Sequence, residues 1–161
     1  MKIQYNILWL DDAKDEIEEG DYNSELEEYI VELGFEPYIK IVRTENQFFE
    51  TLNKYSNIEW DLFLTDYNLD EIDENPEKGD KVIDRVRKQN IQTEILFYTK
   101  KDDGKRNKGF DRITFLDTSS SIGDDHNEKV ILKTKELINI TVKKFQHIVS
   151  VRGLIMHETS E

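Results

Sequence analysis

The sequence predicts an α/β protein built on a parallel sheet, and three features predict it. Five apolar runs of strand length recur along the 161 residues, at 3–10, 38–42, 60–65, 94–99 and 112–116. Most of the stretches between them carry apolar residues at helical spacing, and strands that alternate with helical segments are the mark of βα units. Two of the runs, ILWLDD at 7–12 and DLFLTD at 61–66, also end in aspartate, so acids distant in the chain arrive at strand ends.

The first strand candidate is Ile3 to Leu10. Ser24 and Glu27 then have capping-box spacing for a helix whose face is Leu26, Tyr29, Ile30 and Leu33, and Gly34 supplies its end. Tyr38 to Val42 is the second strand, and Thr44 with Gln47 repeats the capping spacing before a helix with Phe48, Leu52 and Tyr55 on its inner face. The third strand, Trp60 to Thr65, precedes a helix that follows Gly79 and turns Val82, Ile83 and Val86 inward. Glu94 to Thr99 is the fourth strand. The next segment, KKDDGKRNKGFD at 100–111, has no apolar period, so the fourth helix is expected to be short or missing.

The last strand, Arg112 to Leu116, leads through DTSSSIGDD to a long helix that Asp125 and Glu128 can cap. Val130, Ile131, Leu137, Ile138, Phe145, Ile148 and Val149 recur there at helical spacing, and the pattern continues to Leu154, Ile155 and Met156. That is longer than one covering helix needs. The expected organisation is a single domain over 1–150 and a helical continuation over 151–161, leading toward an effector region outside this chain.

Composition narrows the partners. With 35 acidic against 22 basic residues the formal charge is −13, and phosphates of nucleic acid or of an anionic membrane would be repelled by most of the surface. A basic protein patch or a cation is the easier partner. Cysteine is absent, which excludes disulfides and thiolate metal sites, and no apolar stretch reaches membrane-spanning length. A soluble, cytoplasmic protein is expected.

Open parallel sheets bind ligands at the carboxyl ends of strands, where the strand order reverses. If the five strands wind in the order 2-1-3-4-5, strands one and three are neighbours and Asp11 and Asp12 lie beside Asp66. Charges about 4 Å apart repel by roughly 4 kcal/mol at an effective dielectric near 20, so a bound cation is the natural relief. An all-oxygen site with little protein caging suits Mg²⁺. Thr99, at the end of strand four, would present a hydroxyl to the same crevice.

These residues together resemble the receiver domain of two-component response regulators: Asp11 and Asp12 after strand one, Asp66 after strand three, Gly79 opening GDKVIDRVR, and Thr99 ending strand four. The resemblance spans roughly residues 3 to 150 and implies a flavodoxin-like, doubly wound five-stranded sheet. It further implies that Asp66 is the phosphoacceptor, Asp12 a direct Mg²⁺ ligand, Asp11 a ligand through water and the backbone carbonyl of Asn68 a further ligand. Thr99 would be the switch hydroxyl. A histidine kinase or phosphotransfer protein would be the donor, and the module a signalling switch rather than a metabolic enzyme.

The chain also departs from that pattern. Receivers usually carry a lysine at the end of strand five, where this sequence reads FLDTSSS; Lys100 and Lys101 are the nearest substitutes, Lys100 standing where the family generally has a small residue. The loop 67–78 and the connection 13–23 are long and acidic for the family. Phe115 is the counterpart of the family's aromatic strand-five switch. The weak signal at 100–111 points to communication through the final helix instead, as a homodimer contact or a shaft to an effector.

Other readings stand beside this one. The acids can be helix caps or loop decoration, or the fold can be a pseudo-receiver that acts by protein binding without phosphorylation. A haloacid dehalogenase-type phosphatase also uses an aspartate after strand one, but wants D-x-D where this chain has adjacent acids. The acids at 70–74 lack a calcium-loop spacing, and His126, His147 and His157 read as surface or helix-packing residues.

Overall fold

In the computed structural model of the chain, residues 3–66, 78–89, 91–100, 112–119 and 125–159 are described, with side chains excepted at 78–80 and 144–159. The chain order is β1 (Gln4–Leu10), α1 (Lys14–Glu19), α2 (Tyr22–Glu32), β2 (Glu36–Val42), α3 (Glu45–Lys54), β3 (Leu62–Asp66), α4 (Lys78–Lys88), β4 (Glu94–Thr99), β5 (Ile113–Asp117) and α5 (Asp125–Thr159). The strands form one parallel sheet in the order β2-β1-β3-β4-β5, the flavodoxin-like arrangement expected.

The central strands carry apolar residues on both sides, as in ILWL, LFL and ILFY, because both of their faces are covered. One face of the sheet, carrying Tyr5, Ile7, Trp9, Leu62, Leu64, Leu96 and Tyr98, packs on Ile17 of α1, Leu26 and Ile30 of α2, and Val130, Ile131, Leu137, Ile138 and Val142 of α5. The other, carrying Leu8, Leu10, Phe63, Ile95 and Phe97, packs on Phe48, Phe49 and Leu52 of α3 and Val82, Ile83 and Val86 of α4. Each of the fully buried leucines and isoleucines contributes about 2 kcal/mol.

Several element ends differ from the sequence reading. The stretch after β1 is not a plain acidic connection, because Ile17 is 1% exposed and anchors the extra helix α1 to the core. The second helix begins two residues before Ser24, after Asp21 in the left-handed region (φ 57°), so Ser24 lies inside α2 and no side chain caps it. At this junction the Tyr22 ring packs close over Gly20, where a Cβ would come within 2.5 Å of it. Gly34 does follow the end of α2, at φ 92°, where a side chain would be strained.

At α3 the cap is as expected: Thr44 Oγ1 accepts from the Gln47 N–H at 3.1 Å, while Gln47 Oε1 accepts from Arg43 N at 2.9 Å, one residue before the usual reciprocal partner. The third strand starts at Leu62 and includes Asp66; the fifth includes Asp117. Segments 67–77 and 101–111 lie outside the described residues, and with them the expectations for the acidic loop and for a short or missing helix between β4 and β5. At 35 residues α5 is about 52 Å long. Among the described residues no helix is long and apolar enough to cross a membrane.

Candidate functional site

The order of the sheet sets the site. β1 lies between β2 and β3, so the residues that follow its last buried leucine meet the end of β3. Asp11, Asp12 and Asp66 each offer a carboxylate oxygen, and these atoms lie within 4.8 Å of one another. Their environments differ: Asp11 is 4% exposed, Asp66 half-buried and Asp12 open to water.

Asp11 is held on both sides. Its Oδ1 accepts from the Ala13 N–H at 2.8 Å, and its Oδ2 accepts from the hydroxyl of Tyr98. Tyr98 in turn accepts from the Trp9 indole Nε1–H at 2.7 Å. The direction is forced, because an indole nitrogen only donates; the phenol oxygen must accept from it, which leaves the phenol proton for Asp11. Burial pushes the Tyr98 hydroxyl well above its ordinary pKa, and the charges of Asp11 and Asp66 push it further, so it stays a protonated donor. Burial also raises the Asp11 carboxyl; the bonds from Tyr98 and Ala13 oppose the rise, the Asp12 charge adds to it, and the Lys100 charge draws it down.

A second chain of contacts runs from the end of β4 to α5. Thr99 is 2% exposed, and its carbonyl accepts from both Thr118 N (2.9 Å) and Thr118 Oγ1 (3.0 Å). The Thr118 hydroxyl also meets His126 Nδ1 in the first turn of α5. With its own proton committed to the Thr99 carbonyl, Thr118 Oγ1 accepts there, and His126 is the Nδ1–H tautomer. Burial, aided by the Lys100 charge, lowers the His126 pKa to about 4, so the ring is neutral. It lies 5.7 Å from the Tyr98 ring.

The structure thus brings together Asp11, Asp12 and Asp66, and places Thr99 at the same sheet edge, one residue beyond Tyr98, the register partner of Asp66. Lys100 is exposed and close enough for its charge to act on both Asp11 and His126. The Asn68 carbonyl lies outside the described residues. Thr118, 1% exposed, stands just past the end of β5, where the resemblance looks for a lysine. Phe115 packs edge-on to Phe97 at 5.6 Å, on the sheet face covered by α3 and α4. His126 is indeed a packing residue, but it is buried and sits one side chain from the acids rather than apart from them. Sequence reading missed Trp9, Tyr98 and Thr118; a phenol and an indole inside apolar strands, each needing a polar partner when buried, were the available signal.

The donor set fits a hard divalent cation. Three carboxylates, one fixed and buried, one half-buried and one open to solvent, supply oxygen ligands and leave room for water, as Mg²⁺ requires.

No protein-family profile and no curated protein matches the sequence. Solved structures do match the fold. A two-component response regulator from Cytophaga hutchinsonii is similar at 17% identity and a TM-score of 0.53, over 89% of this chain and 99% of its own. A CheY-like receiver domain from Methylobacillus flagellatus (14% identity, TM-score 0.46) covers 84% of this chain and 99% of its own. A response regulator from Thermotoga maritima, in complex with Mg²⁺ and BeF (21% identity, TM-score 0.47), covers 83% of this chain and 98% of its own. The chain has the receiver fold.

Proposed function

We propose that this chain is a phosphoacceptor receiver module that takes a phosphoryl group onto Asp66 and thereby changes its protein contacts. One observation carries the reading: three acids from two distant strand ends converge within 4.8 Å in a chain of receiver fold. An Asp66 carboxylate oxygen attacks phosphorus in a phosphohistidine of a histidine kinase or phosphotransfer protein. The P–O bond forms as the P–N bond breaks, and the protonated imidazole leaves neutral. Water later hydrolyses the mixed anhydride.

Asp12 and Asp66, with Asp11 through water and the Asn68 carbonyl, would hold Mg²⁺. When bound, the ion offsets the repulsion between an anionic acid and an anionic phosphoryl group. The Thr99 hydroxyl donates to a phosphoryl oxygen, and Lys100 supplies the cation that strand five does not.

The test is incubation with Mg²⁺ and a small phosphodonor followed by intact mass. The expected result is a labile single-phosphoryl adduct that vanishes in Asp66→Ala and in EDTA. An adduct that persists in Asp66→Ala, or none in the wild-type chain, refutes the reading.

The length of α5 favours a second reading, a pseudo-receiver that docks partners without phosphorylation. The helix runs 35 residues, from Asp125 to Thr159, which is longer than covering one face of the sheet needs. No adduct together with a stable α5-mediated complex supports that alternative.

A further inference from the structure

We infer that Tyr98, clamped by Trp9, is a positioning residue for Asp11, holding that carboxylate ready for a cation at the acid cluster. This rests on the cation-binding part of the reading above and assigns a role to a side chain outside the acids themselves.

A carboxylate that is 4% exposed has little water to orient it, so its rotamer is set by its hydrogen-bond donors. Among the described residues these are the Ala13 N–H on Oδ1 and the Tyr98 hydroxyl on Oδ2. The first is backbone and fixed by the start of α1. The second would rotate freely were its oxygen not engaged, but the Trp9 Nε1–H at 2.7 Å fills one lone pair and leaves the proton directed at Asp11. Trp9 is 2% exposed and Tyr98 1%, and both stand in central strands, so the clamp is part of the rigid sheet rather than of a loop. Each Asp11 oxygen thus keeps a lone pair for water or cation while the plane of the carboxylate is fixed. A ligand prearranged in this way loses less entropy when the ion binds.

The same chain of bonds makes Trp9 a reporter. A cation near Asp11 polarises the Asp11–Tyr98 bond and, through it, the Tyr98–Trp9 bond. Trp60, the other tryptophan, is at the opposite end of the sheet, next to the start of β3, and a Trp60→Phe variant identifies the two indole resonances.

The experiment titrates MgCl₂ into the full chain, following indole N–H resonances and measuring affinity by calorimetry, and repeats this with Tyr98→Phe. Circular dichroism checks that the variant folds. In the wild-type chain the Trp9 indole resonance shifts with Mg²⁺ and that of Trp60 does not. In Tyr98→Phe the affinity falls about tenfold, the scale of a lost hydrogen bond to a charged group, and the Trp9 shift disappears. A purely structural role would lower the melting temperature equally with and without Mg²⁺ and leave the dissociation constant unchanged, which overturns the inference. So does a wild-type chain whose Trp9 resonance ignores Mg²⁺, a result that needs no variant. Mg²⁺ binding weakened by Tyr98→Phe in a chain that never forms an acyl phosphate leaves this inference standing and defeats only the phosphoacceptor reading. A wild-type chain that does not bind Mg²⁺ defeats both.

Discussion

Replacing Asp66 with asparagine tests whether the three acids repel one another as the geometry demands. Their nearest oxygens lie within 4.8 Å. At that separation a pair of charges costs about 3.5 kcal/mol at an effective dielectric of 20 and about 0.9 kcal/mol in water. Asp12 is solvent-exposed, so its repulsion of Asp66 falls near the lower figure; Asp11 is buried, and its repulsion lies nearer the upper one, reduced to the extent that its raised pKa lets it hold a proton. Asp66→Asn, nearly isosteric, is therefore expected to stabilise the chain by about 1–3 kcal/mol in EDTA. Urea unfolding at pH 7.5 measures this. Mg²⁺ reverses the order: at a hundredfold excess over its dissociation constant it adds about 2.7 kcal/mol to the wild-type chain, and much less to the variant, which has lost a ligand. A variant that is less stable than wild type in EDTA, or that gains as much from Mg²⁺, would refute the shared-cation geometry.

Asp61 and His126, neither a member of the acid cluster, predict opposite pH slopes. Burial lifts the Asp61 carboxyl from 3.8 to about 6, against the hydrogen bond from Asn6 N at 2.7 Å. A raised folded-state value means the penalty is absent below 3.8 and complete above 6, so Asp61→Asn should outperform wild type by up to about 3 kcal/mol at pH 7.5 and by little at pH 4. His126, lowered from 6.5 to about 4, contributes stability that is present above 6.5 and is lost as pH falls toward 4; the gap between wild type and His126→Phe should shrink over that window. Denaturant titrations at several pH values check both, and a pH-independent gap in either variant rejects its assignment. For α5, the solution mass of the intact chain is expected to be that of a dimer and the mass of a chain ending near Lys144 that of a monomer; monomer in both removes the homodimer version of its role.

The strands were legible because period and length mark them: runs such as ILWL and LFLT are too apolar for a surface and too short for a buried helix, while their order was supposed and then implied by the receiver resemblance. The acids followed from that order, since a 2-1-3 arrangement alone brings Asp11 and Asp12 to Asp66. What sequence could not provide was register. Pairing of Asp66 with Tyr98, and of Thr99 with Asp117, decides which side chains look into the crevice, and a one-residue slip would send Tyr98 to the opposite face. Helix starts were illegible for a related reason. Ser24 and Glu27 have capping spacing, but the burial of Ile17 and the turn at Gly20–Asp21 start α2 earlier, so tertiary contacts override a local signal. At Thr44 no such contact competes, and the local signal held.

The absence of a strand-five lysine then takes on a physical meaning. A cluster of three acids needs compensation, and among the described residues the hydrogen-bond donors to its buried member are neutral: a backbone N–H and a phenol. Neutral donors stabilise an anion but do not cancel its charge, so it is the charge of the exposed Lys100 that draws the Asp11 carboxyl down. The position just past β5 goes instead to Thr118, which binds the Thr99 carbonyl and His126 and so fastens the end of β4 to the first turn of α5. A lysine at that place would answer the charge of the crevice directly. A threonine cannot; it connects the strand carrying the candidate switch hydroxyl to the first turn of the long helix α5. A shift of the Thr99 backbone toward a ligand at Asp66 would therefore either carry Thr118 and His126 with it or break their hydrogen bonds, and both outcomes reach the start of α5, whereas rotation of the Thr99 side chain alone would disturb neither.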